Sequence, residues 1–407
     1  MALTQVDVAI IGGGMVGASL AVALADSGIS TMLVEAVPYA AHASGSQAQP
    51  SFDDRTTALG NASRRIFQAL GVWERLAPEA AAIRAIHVSD AGRFGFARLN
   101  AEEQGIEAFG YVVPNRAIGA ALWEKLEAGT DLLLRVPARP EQVQINDTGI
   151  SFVLGTESVS ARLAVAADGA HSVLRAAAGI EADVEDYDQI AIVANVAADR
   201  AHDGTAYERF TPSGPLAVLP LHDGSYGVIW TCSPERATEV LSFDDGTYLQ
   251  QLQERFGWRA GRFVRAGVRA SYPLKLTRAT TTVAARTVLI GNAAQALHPV
   301  AGQGFNLGLR DAAMLAEVLA GARGDVGSPE LLRNFAAWRE GDRSGVVRFT
   351  DGLVKMFGDT RPGIGMLRNL GLLLFDLSPP AKSALARVSA GFAGPTPRLA
   401  RGLGLRE

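Results

Sequence analysis

A short β-branched run, Val6-Asp7-Val8-Ala9-Ile10-Ile11, leads directly into Gly12-Gly13-Gly14-Met15-Val16-Gly17. Ala18 to Ser27 is alanine-rich with good helix formers and stops at Gly28; a second apolar run, Thr31 to Val34, ends on Glu35. The pattern predicts strand, glycine turn, helix, strand and acid within thirty residues. Two further apolar runs end on glycine-bearing turns, one at Asp168-Gly169 and one at Gly291-Asn292. After the first, a helix start holds Ser172 and Arg175; after the second, a loop through His298-Pro299 and Gly302-Gln303-Gly304 opens a long helical pattern. Between these clusters, Gln189–Val196, Ala206–Phe210, Leu216–Pro220 and Tyr226–Cys232 alternate as antiparallel strands do. Residues 42–54 are small and polar and predict a mobile loop. Beyond Ser328 the pattern is helical to the end, without internal repeats.

The first glycine cluster has the spacing G-x-G-x-x-G, and each glycine has a physical reason. Gly12 makes a tight turn, Gly14 lets backbone approach a pyrophosphate, and Gly17 lets helix and strand pack closely. Free N–H groups and the dipole at the helix start favour phosphates. Glu35 would accept from a ribose diol and disfavours a 2′-phosphate. Glycine turns also serve packing alone, but here strand, helix and acid stand in register. FAD and NAD(H) both remain open on this motif. Three strand-end clusters on one chain suggest one extended ligand crossing the carboxyl edge of a sheet.

Composition narrows the class. Of 407 residues 48% are hydrophobic and 20% charged, a balance that excludes global disorder. A net charge of −4 argues against a nucleic-acid partner. A single cysteine, Cys232, excludes an intramolecular disulfide and a cysteine-rich metal site, and no metal is expected. There is neither a signal-peptide pattern nor an apolar run of about 18–20 residues. The charge is uneven: residues 361–407 hold seven basic and two acidic residues, a net +5, which leaves −9 on residues 1–360. The same tail has Met366, Leu367, Leu370, Leu373, Leu374 and Leu377 at helical spacing. One reading is a helix packed on the nucleotide-binding unit. The other is docking onto an anionic membrane or a lipid-carrying partner.

With these motifs in place, the sequence resembles the single-component, class A flavin monooxygenases of the aromatic hydroxylase type. It is most similar to the ubiquinone-biosynthesis hydroxylases of the UbiH group, over nearly the whole chain. The resemblance implies an α/β fold: a Rossmann-like (GR2-type) FAD-binding domain from residues 1–75, 105–180 and 270–330, an inserted antiparallel-sheet substrate domain from 76–104 and 181–269, and a C-terminal helical segment, 331–407. It implies that Gly12, Gly14, Gly17 and Glu35 bind the ADP half of FAD, and that Asp168-Gly169 serves both FAD and NAD(P)H. Gly291 and Asn292 would meet the ribityl chain. The family usually has aspartate where Asn292 stands and histidine where Gln295 stands. Asn keeps an acceptor of similar length, and Gly-Asn-Ala-Ala-Gln-x-Leu-His-Pro is how UbiH-like members usually read.

The resemblance also puts Arg55 near flavin and pyridine nucleotide, with a salt bridge to Asp53 or Asp54 as the alternative. Asn115 becomes a polar FAD contact, or a helix N-cap, or both. Pro299, Gly302, Gln303, Gly304 and Asn306 would line the flavin, where the helix start stabilises negative charge on the reduced ring. His298, with Pro299 the only catalytic candidate, either acts as a base toward a phenol or braces its loop. Tyr187, Tyr207 and Tyr272 are open between a ring pocket and the core. The implied reaction uses FAD, NAD(P)H and O2 to convert a 2-polyprenyl-6-methoxyphenol to the 1,4-benzoquinol through a flavin hydroperoxide. The chain has no second G-x-G-x-x-G for a separate NAD(P)H domain. Implied partners are the polyprenyl phenol, other ubiquinone-biosynthesis proteins and, through the basic tail, a membrane surface. The implied location is cytoplasmic, peripheral to the inner membrane. Rival readings are hydroxylation at another ring position, a prenyl reductase, and a non-catalytic flavoprotein subunit.

Overall fold

The computed structural model describes residues 3–39, 55–129, 132–298, 300–358, 364–392, 394 and 396–405. The sequence 42–54, expected as a loop, lies outside them, as does Pro299.

The first apolar run forms the strand Leu3–Ile11, central to an eight-stranded sheet. It pairs in parallel with Glu157–Ala166 on one side and Thr31–Val34 on the other. Thr287–Leu289 and Leu132–Arg135 extend the parallel part outward. Thr31–Val34 is buried at every position, as expected of a strand covered on both faces. The register matters most. Ile11 is level with Ala166 and with Val34, and Ala166 is level with Leu289. All three glycine-bearing turns therefore leave the sheet at one edge.

A second, nine-stranded sheet is built around the long strand Ala182–Ala198. The four alternating runs fall inside it, and its pairs are antiparallel except where Thr205–Thr211 meets Ala85–Asp90. Trp230, Tyr248 and Phe256 fill the core beneath it. Two strands pair across the expected boundaries. Ala270–Ala279, expected in the nucleotide-binding unit, pairs along Ala182–Ala198, and Gln295–Ala296 pairs with its far end. Its largely alternating exposure suits a half-solvated antiparallel strand rather than a fully covered parallel one. Ala81–Ile83, expected in the substrate unit, pairs with Gly110–Pro114 in a small three-stranded sheet.

Helices cover the parallel sheet. Met15–Leu24 packs against Gln303–Ala320, and both are rich in small residues. A Cβ at Gly308 would lie 2.9 Å from Val16 Cγ2 and 3.0 Å from Gly291 Cα. The long helix Pro329–Gly358 then crosses Gln303–Ala320 through buried charge. Arg339 donates to Asp311 Oδ1 (2.7 Å) and Asp342 Oδ2 (2.5 Å), and Arg310 donates to Asp342 Oδ2 (2.8 Å). Burial opposes the charge of Asp342, but Arg310 and Arg339 outweigh it and hold its carboxyl below the usual range. The tail helix Ile364–Asp376, expected in one reading on the nucleotide-binding unit, packs chiefly elsewhere. It sits on the hairpin Ala85–Asp90 and Phe96–Asn100 of the second sheet.

Removing one partner from a buried ion cluster strands the remaining charges. Arg339→Met is expected to lower unfolding stability by about 3–5 kcal/mol, read by urea denaturation at neutral pH. Because the folded carboxyl of Asp342 is held low, the cluster's contribution is present above about pH 4 and fades as acid protonates it.

Candidate active site

At the carboxyl edge of the parallel sheet, backbone geometry shapes the turn. Gly12 has φ +107°, and a Cβ there would strike the carbonyl of Ala167. A Cβ on Gly17 would strike the carbonyl of Gly12. These two positions accept only glycine without displacing backbone. Gly14 precedes the first helical residue, so the free N–H groups of Met15–Leu24 start here.

Glu35 directly follows the neighbouring strand Thr31–Val34 and is buried. Its Oε2 accepts from the Gly13 N–H (2.6 Å) and its Oε1 from the Val37 N–H (2.8 Å). The acid therefore fixes the glycine turn and keeps lone pairs for a further donor. Asp168 Oδ2 accepts from the Val173 N–H (2.8 Å) at the start of a short helix that Ser172 caps. Asp168 Oδ1 is buried and has no hydrogen-bond partner among the described residues. Arg175 then ties the second cluster to the third, donating to the carbonyls of Ala170 (2.7 Å) and Ala293 (3.0 Å).

The third cluster is anchored from behind. The Gly291 N–H (3.1 Å) and the Gln295 side chain (2.8 Å) both donate to Asp311 Oδ2. Gln295, singled out as a family departure, thus serves an internal bond. Asn292 stays exposed on the turn. Gly302 has φ +59° and starts Gln303–Ala320. Asn306, expected as a cofactor contact, has its side chain fully engaged within the protein. It accepts from the Gly60 N–H (2.8 Å) and Ser63 Oγ (2.6 Å) and donates to the carbonyls of Ala58 (2.8 Å) and Gly302 (2.7 Å).

One cleft of about 780 Å3 runs past these turns, within the size range of ligand sites. Gly12, Gly14, Glu35, Asp168, Gly169, Asn292 and Gly304 are on its walls. Arg139 and His171, which sequence reasoning passed over, are there too. Arg55 and Asn115 are not among its described walls. The Arg55 guanidinium lies 4.4 Å from the Tyr272 ring centroid, a cation–π geometry, and Asp53 and Asp54 fall outside the described residues. Asn115 is the first helical residue rather than the N-cap, and its Oδ1 accepts from Thr57 Oγ1 (2.6 Å).

His298 is fully buried beside this cleft. Its Nδ1 accepts from the Val300 N–H (3.2 Å), so the ring proton sits on Nε2 and is directed at Gln189 Oε1 (3.3 Å). Tyr187 stands edge-on to the ring at 5.2 Å. Burial pushes the imidazole down to about 4, leaving it neutral at pH 7. Both nitrogens hold protein partners, which is the bracing geometry.

The residues present fit an extended dinucleotide. Backbone N–H groups of the glycine turn suit a pyrophosphate, Glu35 suits a ribose hydroxyl, and the orphaned Asp168 Oδ1 suits a hydroxyl donor. Residues 5–350 match the FAD binding domain family. The chain belongs to that family. It is an FAD-dependent monooxygenase. Among its relatives is the ubiquinone hydroxylase UbiL of Rhodospirillum rubrum, 37% identical over 98% of this chain and 93% of the relative. The 3-demethoxyubiquinol 3-hydroxylase of Escherichia coli is 32% identical over 90% of this chain and 94% of its own. Among solved structures, p-nitrophenol 4-monooxygenase PnpA of Pseudomonas putida shares the fold, with TM-score 0.78 over 97% of this chain and 99% of that one, at 19% identity. The family thus supplies the cofactor, FAD, that the cleft was found to suit.

The depressed pKa of His298 has a testable sign. Between about pH 6.5 and 4 the unfolded chain takes up a proton that the folded chain refuses. Stability carried by the neutral imidazole is therefore full above pH 6.5 and lost as pH falls toward 4. His298→Gln is expected to remove up to about 3 kcal/mol of that pH dependence, measured as the difference between wild-type and variant unfolding curves across this window.

Proposed function

We propose that this monooxygenase hydroxylates the ring of a polyprenylated phenol in ubiquinone biosynthesis, using NAD(P)H and O2. The observation that carries the reading is the end-to-end likeness to the Rhodospirillum rubrum ubiquinone hydroxylase, combined with the Gly291–Pro299 run. The substrate we assign is a 2-polyprenyl-6-methoxyphenol and the product its 1,4-benzoquinol. When bound, FAD supplies the redox and oxygen chemistry; the chain supplies binding, orientation and a dry site.

The roles follow the geometry. The glycine turn and Glu35 hold the nucleotide half, Asp168 and Asn292 supply acceptors along the cleft, and the Gly302–Gly304 helix start directs N–H groups and a positive dipole end toward developing negative charge. A further cavity, about 270 Å3, is lined by Tyr187, Gln189, Phe210 and Pro215, and Tyr187 and Gln189 also meet His298. It is sized for a substituted phenol ring rather than for its isoprenoid tail. We assign His298 to positioning that loop, since its two nitrogens already serve Gln189 and Val300. Such a substrate implies a cytoplasmic enzyme working at the inner membrane surface; no described helix is long and apolar enough to cross a membrane.

Hydroxylation at another ring position is the second reading, favoured by the likeness to the Escherichia coli 3-demethoxyubiquinol 3-hydroxylase. Deleting the gene and identifying the accumulated precursor separates the two. The proposal expects the 6-methoxyphenol, and purified protein given that phenol, NAD(P)H and O2 is expected to yield a product with one added oxygen. Accumulation of a different quinone precursor contradicts the substrate assignment.

A further inference from the structure

The tail helix Ile364–Asp376 is apolar on both sides. Its inner side is fastened to the second sheet: Asn369 Oδ1 accepts from the Gly95 N–H (2.6 Å), and Asp376 Oδ1 from the Arg98 N–H (2.8 Å). Leu372 packs against Phe210 and Val300, two residues beyond His298. The other side carries Met366, Leu370 and Leu374 at successive turns, with Leu377 just past the end, all 48–70% exposed. A continuous ridge of four large exposed side chains marks an interaction surface.

Charge beside the ridge selects the partner. Met366 is also a wall of a cleft of about 630 Å3, shared with Arg93, Arg209, Arg259 and Phe94. Phe94 is 71% exposed, and Trp258, the residue before Arg259, is 67% exposed. Arg209 donates to the Arg255 carbonyl (3.0 Å) and Ser89 Oγ (3.4 Å), not to a carboxylate. Burial and the neighbouring Arg259 lower its pKa. Asp90 is the acid in reach, facing Arg93 at 3.7 Å while accepting from Asn369 (3.1 Å). His87 nearby is pushed down to about 4 by burial and by Arg259, Arg98 and Arg209, which reports the same positive field. Three arginines around exposed aromatic and thioether side chains, continuous with a leucine ridge, match phosphate groups above an apolar layer.

We infer that this face docks on an anionic phospholipid bilayer, with Arg93, Arg209 and Arg259 at the headgroup phosphates and Met366, Leu370, Leu374, Leu377 and Phe94 in the interfacial layer. An acidic peptide or a nucleic acid would use the arginines and leave the ridge bare. A second copy of the chain would use the ridge and set arginine against arginine. The contact is peripheral, since no described helix can span a bilayer. Through Leu372 and Val300 the docked helix is packed against the loop that His298 braces. The inference stands apart from the identity of the substrate.

The test is flotation of full-length, FAD-loaded protein with vesicles of phosphatidylcholine alone and with about 30% phosphatidylglycerol. Binding is expected only to the anionic vesicles, and weakened by salt. Arg93→Glu with Arg259→Glu, and separately Leu370→Ser with Leu374→Ser, are each expected to cut the bound fraction at least about tenfold, with flavin absorbance unchanged. Phe94→Ser, at a side chain mostly in solvent, keeps the test decisive if the leucine variant loses flavin. Equal binding to neutral vesicles, no binding, or variants that bind like wild type would overturn the inference. So would a dimer in light scattering that Leu370→Ser with Leu374→Ser dissolves.

Discussion

A buried carboxylate holds the candidate site together. Asp311 is buried in the helix Gln303–Ala320, and its two oxygens face different tasks. Oδ1 pairs with Arg339 of the next long helix; Oδ2 accepts from the Gly291 amide and the Gln295 side chain. Taking such a charge out of water is costly unless it is paired and hydrogen-bonded, and here it is both. The same contacts set the third glycine turn against the helix whose start borders the cleft. Arg310 and Asp342 complete the cluster, so the C-terminal helices bear on the site although none of their described side chains lines the cleft.

Sheet register does the rest. With Ile11, Val34, Ala166 and Leu289 level across four parallel strands, the turns that follow them meet without further adjustment. Glu35 is one example of the economy this allows: it restrains the Gly13 amide and still offers acceptors to a ligand. Arg175 is another, bridging the second and third clusters through the Ala293 carbonyl. The second sheet reaches the same place from the other side, through Gln189 and the His298 loop.

Local signals made much of this legible. The glycine spacing, the alternation of the four antiparallel runs and the helical tail depend on neighbours a few residues apart, and the elements formed where the pattern put them, except that beyond Ser389 the described residues hold only the short 3-10 turn Leu399–Arg401. What the sequence did not reveal rests on distant partners. Gln189 and His298 are 109 residues apart, and nothing local distinguishes a bracing histidine from a basic one. Asn306 has the composition of a ligand contact, but Gly60 and Ser63, some 240 residues earlier, use its acceptor. Ala270–Ala279 carries no local mark of its sheet, because its place there is decided by pairing with Ala182–Ala198. The ridge on the tail helix was visible as spacing, whereas its arginine surroundings come from three separate segments of chain.

Asp311 sets the third turn against the helix Gln303–Ala320, and we propose that this registration completes one FAD site. Asp311→Asn keeps size but replaces one acceptor oxygen with a donor, so Arg339 and the Gly291–Gln295 pair can no longer both be satisfied. The direct measurement is FAD affinity of refilled apoprotein, followed by flavin fluorescence, with circular dichroism verifying the fold. Binding at least about tenfold weaker, the loss of roughly 1.4 kcal/mol, is expected in a variant that remains folded. A folded Asp311→Asn protein that binds FAD like the wild type would contradict it.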